Sequence, residues 1–133
     1  MRVPRKNIAA LVKFVAAAEK AKLGLVDIAV VSKRQIAAVN RQYLGHRGPT
    51  DVISFDLSDA ATPGLSCQII VCGELAVAQA AARDIGVQAE LMLYIVHGLL
   101  HVMGCDDTNP RAAARMHARQ EQLLEDFFCK PSS

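Results

Sequence analysis

An apolar stretch carrying two histidines one helical turn apart constrains this chain more than any other feature. Residues 95–107 read Ile-Val-His-Gly-Leu-Leu-His-Val-Met-Gly-Cys-Asp-Asp. Positions i and i+4 of an α-helix share a face, about 40° apart around the axis, so His97 and His101 can present imidazole nitrogens to one ion. Gly104 follows three residues later, where a glycine takes the left-handed conformation that ends a helix and folds the chain back. The returning chain can deliver Asp106 or Asp107 to the same point. Two imidazoles and a carboxylate form a donor set for a divalent cation, and three protein ligands leave a fourth position open, the layout of a catalytic rather than a structural centre. The competing reading is a core-edge helix whose histidines bond backbone carbonyls, followed by a turn whose acids are merely solvated. A helix-ending glycine with an acid at the right distance favours the metal.

Spacing favours Asp107, because His-x-x-x-His-x-x-Gly-x-x-Asp resembles the zinc site of gluzincin- and metzincin-like hydrolases, in which the third ligand follows the glycine by three residues. Cys105 competes for that place, since thiolates bind zinc well, but it must reach back from the turn just past Gly104. In zinc proteases the residue after the first histidine is a glutamate that acts as general base. Here it is Gly98. That argues against a peptidase and predicts close packing at residue 98.

At these residues the chain resembles the YbeY-type rRNA maturation factors. Their signature His-Gly-x-Leu-His-Leu-x-Gly-Tyr-Asp-His is similar to residues 97–107. Their Asn-Arg-x-Tyr, followed by Pro-Thr-Asp-Val-Leu-Ser-Phe, is similar to Asn40-Arg41-Gln42-Tyr43 followed by Pro49-Thr50-Asp51-Val52-Ile53-Ser54-Phe55, and their Gly-Asp-Ile strand to Gly73-Glu74-Leu75. The resemblance spans roughly residues 25 to 125. It implies a metal-dependent, single-strand-specific endoribonuclease acting in ribosomal RNA maturation, at the 3′ end of the small-subunit rRNA, and in ribosome quality control. It further implies one Zn2+ per chain, with Mn2+ as the other candidate ion, and single-stranded RNA and the ribosome or its proteins as partners, with no membrane and no DNA.

Two departures from the family pattern carry chemistry. Asp107 stands where the signature ends in a third histidine, and Cys105 where it has an aromatic residue. An aspartate lowers the charge of a zinc centre from about +2 to about +1, which predicts weaker acidification of water or a preference for another divalent ion. Leu44 stands where most members carry an arginine. Arg41, His46 and Arg47 lie nearby, and each is a candidate to turn a cation toward the scissile phosphate, where a guanidinium stabilises developing negative charge through paired hydrogen bonds. His46 also offers a general acid or base. The alternative for these residues is a solvated basic loop.

A net charge of +2 supplies no large basic field, so any RNA contact comes from a local patch. No run approaches the ~20 apolar residues of a membrane span, and Lys13 and Glu19 break what would be the apolar core of a signal peptide, so a cytoplasmic address is expected. Four cysteines without metal-ribbon spacing read as reduced thiols, and Cys67 and Cys72, five apart on one strand, face opposite sides. Two rival functions stay open: another metallohydrolase acting on small substrates, and a non-catalytic ribosome-assembly factor whose metal rigidifies the fold.

The pattern predicts a single α+β domain over residues 1–133, a small mixed sheet of about four strands packed with about five helices, the metal site lying at the end of a central His-bearing helix. Asn7 is expected to cap a first helix running to about Lys22, with Gly24 ending it, before a strand over 25–31. Ser32 caps a helix over 33–44. Strands follow over 50–57 and 68–77, with Gly73 marking a bulge or a close backbone approach, then a helix over 76–85. Asn109 and Pro110 open the last helix, and residues 129–133 form a frayed tail. Glu74, ahead of Glu90, is the candidate to hydrogen-bond a ligating imidazole. His117 reads as exposed, and the row Arg111, Arg115, Arg119 as a solvated face or a basic stripe that could touch RNA or a ribosomal surface.

Overall fold

The most apolar strand lies at the middle of the sheet, with a neighbour on each edge and helices packed over both faces. In a computed structural model describing residues 5–61 and 63–129, β3 (Leu65–Cys72) pairs parallel with β1 (Leu23–Val31) and antiparallel with β2 (Val52–Asp56). Side chains alternate across it. Cys67, Ile69 and Val71 face a large core shared with α1 (Arg5–Ala18), α4 (Val87–Val102) and α5 (Pro110–Phe128), whereas Ile70 and Cys72 face a smaller cluster with Ile36 of α2 (Lys33–Val39). The two cysteines therefore sit on opposite faces as free thiols, as their spacing predicts. β2 alternates as read: Val52 packs toward α4, and Ile53 and Phe55 toward α2.

The described residues hold three strands rather than about four. The long apolar strand also stops earlier than expected, and α3 (Gly73–Arg83) begins at Gly73. Pairing explains both ends. Cys72 pairs with Val31, the last residue of β1, and Ser32 then leads β1 into α2, so a longer β3 has no partner beyond that point. Alanine-rich residues 76–82 take the helical alternative, which suits them. Gly73 is thus the first residue of a helix, not a bulge.

α1 differs as well. Asn7 lies inside it, and it closes at Lys20, whose φ of 58° is left-handed, with the Ala21 N–H reaching back to the Ala16 carbonyl at 2.8 Å. Gly24 is used elsewhere: a Cβ there would stand 2.4 Å from Ser66 Oγ, and that hydroxyl accepts from the Leu25 N–H at 3.1 Å.

The other two caps read from sequence, Ser32 and Asn109, are present. Ser32 and Gln35 form a reciprocal capping box, and Asn109 Oδ1 accepts from the Ala112 N–H at 2.8 Å with Pro110 at the first helical position. α2 continues through one wide, π-type turn over Asn40–Leu44. Cys129 caps α5, and the rest of the expected tail, 130–133, lies outside the described residues.

α4 is apolar nearly all round because it is enclosed by the sheet, α1, α3 and α5. No single helix among the described residues is long and apolar enough to cross a membrane. Gly98 is the contact point of α4 with the sheet. A Cβ at that residue would meet Ser54 Oγ at 2.8 Å, Ile69 Cγ2 at 3.0 Å and Val52 Cγ2 at 3.3 Å.

Candidate metal centre

The last turn of α4 carries His97 and His101, half-buried, with their Nε2 atoms 3.1 Å apart. Beyond it the chain reverses as the sequence predicts. Gly104 has a φ of 100°, its N–H bonds the His101 carbonyl at 3.1 Å, and the Cys105 N–H bonds the Leu100 carbonyl at 3.0 Å. This pair of bonds satisfies carbonyls left over at the helix end and aims the returning chain at the two imidazoles. Asp107 Oδ2 comes to lie 3.7 Å from His101 Nε2 and 4.0 Å from His97 Nε2.

Of the three candidates for the third ligand, the fold brings Asp107 to the histidines. Asp106 turns back on its own loop, where Oδ1 accepts from the backbone N–H and the hydroxyl of Thr108. Cys105 packs against the core, and burial foremost, then the Glu19 charge, pushes its thiol up; a thiolate is disfavoured there.

The donor set fits a divalent cation. One donor atom from each of His97, His101 and Asp107 lies within 4.8 Å of the others. A tetrahedral ion with bonds of about 2.0–2.1 Å holds its donors about 3.4 Å apart, and the three observed separations bracket that value. The fit therefore needs shifts of a fraction of an ångström.

A second helix fixes the imidazole. His97 Nδ1 donates to Gln120 Oε1 of α5 at 3.0 Å, and Gln120 is only 7% exposed. An amide oxygen only accepts, so the proton stays on Nδ1 and the Nε2 lone pair points at the cluster. This corrects the expectation for Glu74 and Glu90. Glu74 accepts from the Lys33 N–H at 2.8 Å, joining α3 to the start of α2, and Glu90, fully buried, pairs with Arg83 at 3.0 Å in the first turn of α4. The sequence did hold a signal for Gln120: it is the one polar residue on the stripe of α5 formed by Met116, Leu123 and Leu124.

Replacing Gln120 with leucine keeps the volume and removes the acceptor. The expected result is a roughly 10- to 100-fold loss of metal affinity with an unchanged melting temperature of the metal-free protein, while Gln120→Glu retains binding. Competition with a chromophoric chelator measures both, and equal affinity of Gln120→Leu and parent would refute the positioning role.

A cleft of about 240 Å3 opens at the cluster, lined by His97, Asp107, Ala113, Met116, His117 and Gln120. His117, read from sequence as exposed, stands on its wall, with Nε2 at 3.8 Å from Glu121 Oε1. Arg41 and Arg47 line a different recess, with Arg34, beside α2. α2 and α4 pack on opposite faces of the sheet. His46 is exposed, and its N–H bonds the Asn40 carbonyl at 3.3 Å.

A small α+β protein whose core helix ends in a His, His, Asp cluster beside an open cleft carries a donor set that could hold one metal ion. The sequence profile of the family described as Endoribonuclease YbeY matches residues 2–128, and the chain belongs to that family. Proteins named Endoribonuclease YbeY from Nocardioides sp. and Anaeromyxobacter sp. are 33% and 38% identical to it. The alignments cover 90% of this chain and 86% of the relative in the first case, and 81% and 59% in the second. The relative from Bifidobacterium longum subsp. infantis is 32% identical over 77% of this chain, which spans 60% of that protein's length. The solution structure of TM1509 from Thermotoga maritima shares the fold, with a TM-score of 0.66 at 24% identity, covering 96% of this chain and 85% of that one.

Proposed function

We propose that the chain is a metal-dependent endoribonuclease that cleaves single-stranded RNA in ribosomal RNA maturation, at the 3′ end of the small-subunit rRNA, and in ribosome quality control. The observation that carries this reading is the convergence of His97, His101 and Asp107 at the mouth of a cleft in a chain of the YbeY family. Zn2+ is the proposed ion, one per chain, with Mn2+ as the alternative that a carboxylate ligand favours. Bound there, a divalent cation supplies Lewis acidity toward a phosphodiester and its attacking water.

The chain's own residues divide the remaining work. His97 and His101 hold the ion from one helix face, Asp107 closes the set, and Gln120 keeps His97 in the ligating tautomer. His117, on the cleft wall, is the imidazole assigned to proton exchange with the leaving oxygen, whereas His46, on the loop beside α2, is assigned with the arginines to the RNA backbone. Arg41 and Arg47 are assigned to the RNA phosphates. A peptidase is not favoured, because residue 98 faces the sheet and not the cleft. The proposed setting is the cytoplasm, with the ribosome as partner.

Elemental analysis of the purified protein, run beside cleavage of a labelled unstructured RNA, tests the reading. About one equivalent of divalent metal and RNA cleavage that a chelator abolishes are expected. Metal that raises the melting temperature, with no cleavage under Zn2+ or Mn2+, would instead assign the chain to ribosome assembly without catalysis. Asp107→His removes a negative charge from the donor set and leaves more of the ion's charge to act at its open position. The acidic limb of the activity profile should then move to lower pH; an unmoved limb contradicts the assignment of Asp107.

A further inference from the structure

Arg34, Ala37, Ala38 and Arg41 recur at three- and four-residue intervals and so share one side of α2 and its wide last turn. The folded chain adds Arg47 and Gly48 to that side, and together they line an open recess of about 520 Å3. Ala37 and Ala38, the other α2 residues in its lining, add little bulk to it. The loop that brings in Arg47 is fixed by Asn40, 5% exposed, whose Nδ2 donates to the Gly48 carbonyl at 3.0 Å, and by left-handed Gly45 and Gly48, with φ of 68° and 85°.

What distinguishes this recess is that three arginines line it together. Among the described residues, the arginines in ion pairs are Arg83, with Glu90, and Arg119, with Glu19. Arg34, Arg41 and Arg47 have no carboxylate partner, and three like charges lining one recess repel one another unless an anion lies between them. The whole chain carries a net charge of only +2, so this is a local patch and not part of a general basic field.

We propose that Arg34, Arg41 and Arg47 form a subsite for the phosphodiester backbone of single-stranded RNA, on the sheet face opposite the helix that carries His97 and His101. The proposal rests on the nuclease reading above and specifies how the substrate is held. Arg34 and Arg41 stand seven residues apart, about 10 Å along a helix, a span that suits consecutive phosphates of an extended strand better than one free anion. β2 is an edge strand, so a flexible strand can pass from the metal cleft around that edge to the recess. A duplex, stiff over such a length, cannot follow the path. Preference for single strands then follows from the placement of the two sites on opposite faces.

Fluorescence anisotropy of a labelled 12-nucleotide oligouridylate in EDTA reads binding without cleavage. Arg34→Ala and Arg47→Ala should each weaken binding about three- to tenfold and lower the slope of log affinity against log salt by about 0.7, and the double variant should combine both losses. All three should melt with the parent, since these side chains are exposed. Failure of the parent to bind, or a double variant with the parent's affinity and salt slope, overturns the subsite. Equal binding of a mononucleotide and the 12-mer, with full displacement by inorganic phosphate, assigns the recess to a free anion and also overturns it. Cleavage with Zn2+ or Mn2+ is scored separately. Binding in EDTA that depends on the arginines, without cleavage by the parent, sinks the nuclease reading alone, whereas cleavage with an unchanged KM in the double variant sinks the subsite alone.

Discussion

His97→Ala and His101→Ala should each retain less than about a tenth of an equivalent of divalent metal and cleave unstructured RNA about a thousandfold more slowly than the parent, a loss of about 4 kcal/mol of transition-state stabilisation. The reason is the size of the donor set. With three protein ligands, removing one imidazole leaves two donors, too few to hold an ion against water. The fold itself should survive, because both side chains lie at the end of α4 and are 29% and 33% exposed. Metal-free parent and variants should therefore melt together. Added metal at a hundredfold excess over its Kd should raise only the parent's stability, by about 2.7 kcal/mol. Calorimetry with and without chelator, beside elemental analysis, separates the two effects. A His97→Ala protein that keeps a full equivalent of metal would remove the centre from the cluster.

Gly98→Glu should abolish cooperative folding, and it should not confer peptidase activity although it writes the zinc-protease motif into the chain. Even a methyl group at residue 98 meets stiff neighbours. Ile69 and Val52 are β-branched with little χ1 freedom, and Ser54 Oγ, which can rotate, then gives up its bond to the Gly98 carbonyl at 3.2 Å. For Gly98→Ala, overpacking of about 1–3 kcal/mol opposes a helix-propensity gain of about 1 kcal/mol, for a net loss of about 0–2 kcal/mol. Glutamate adds greater bulk and a carboxylate with no partner against the sheet, so its loss should exceed about 4 kcal/mol. Denaturant melts of both variants check this. A Gly98→Glu protein as stable as the parent would show that α4 does not approach the sheet at that residue.

The features legible in the sequence are those that helix geometry sets within a few residues. The pairing of His97 with His101, the reversal at Gly104, the Ser32 cap and the Asn109 cap all rest on contacts three to five positions apart, and all are present in the fold. Spacing also favoured Asp107 over Asp106 and Cys105 as the residue facing the imidazoles. Where a local signal had a rival, it misled. Gly24 looked like the end of α1, but Lys20 took the left-handed position and Gly24 was needed against Ser66. The apolar run through residue 77 looked like one strand, yet β1 ends opposite Cys72 and no edge remains for β3 to pair with.

The sequence alone determined that two imidazoles and an acid converge, since one helix turn and one glycine suffice to aim them. Tertiary structure alone decided which partner holds His97 in its ligating form and where the unpaired arginines lie. Gln120 is 23 residues from His97, and Arg47 reaches the Arg34 recess through a loop folded over α2. Contacts of that kind depend on how helices stack across a sheet, a choice made by the packing of the entire core and not by the identity of any short run of residues.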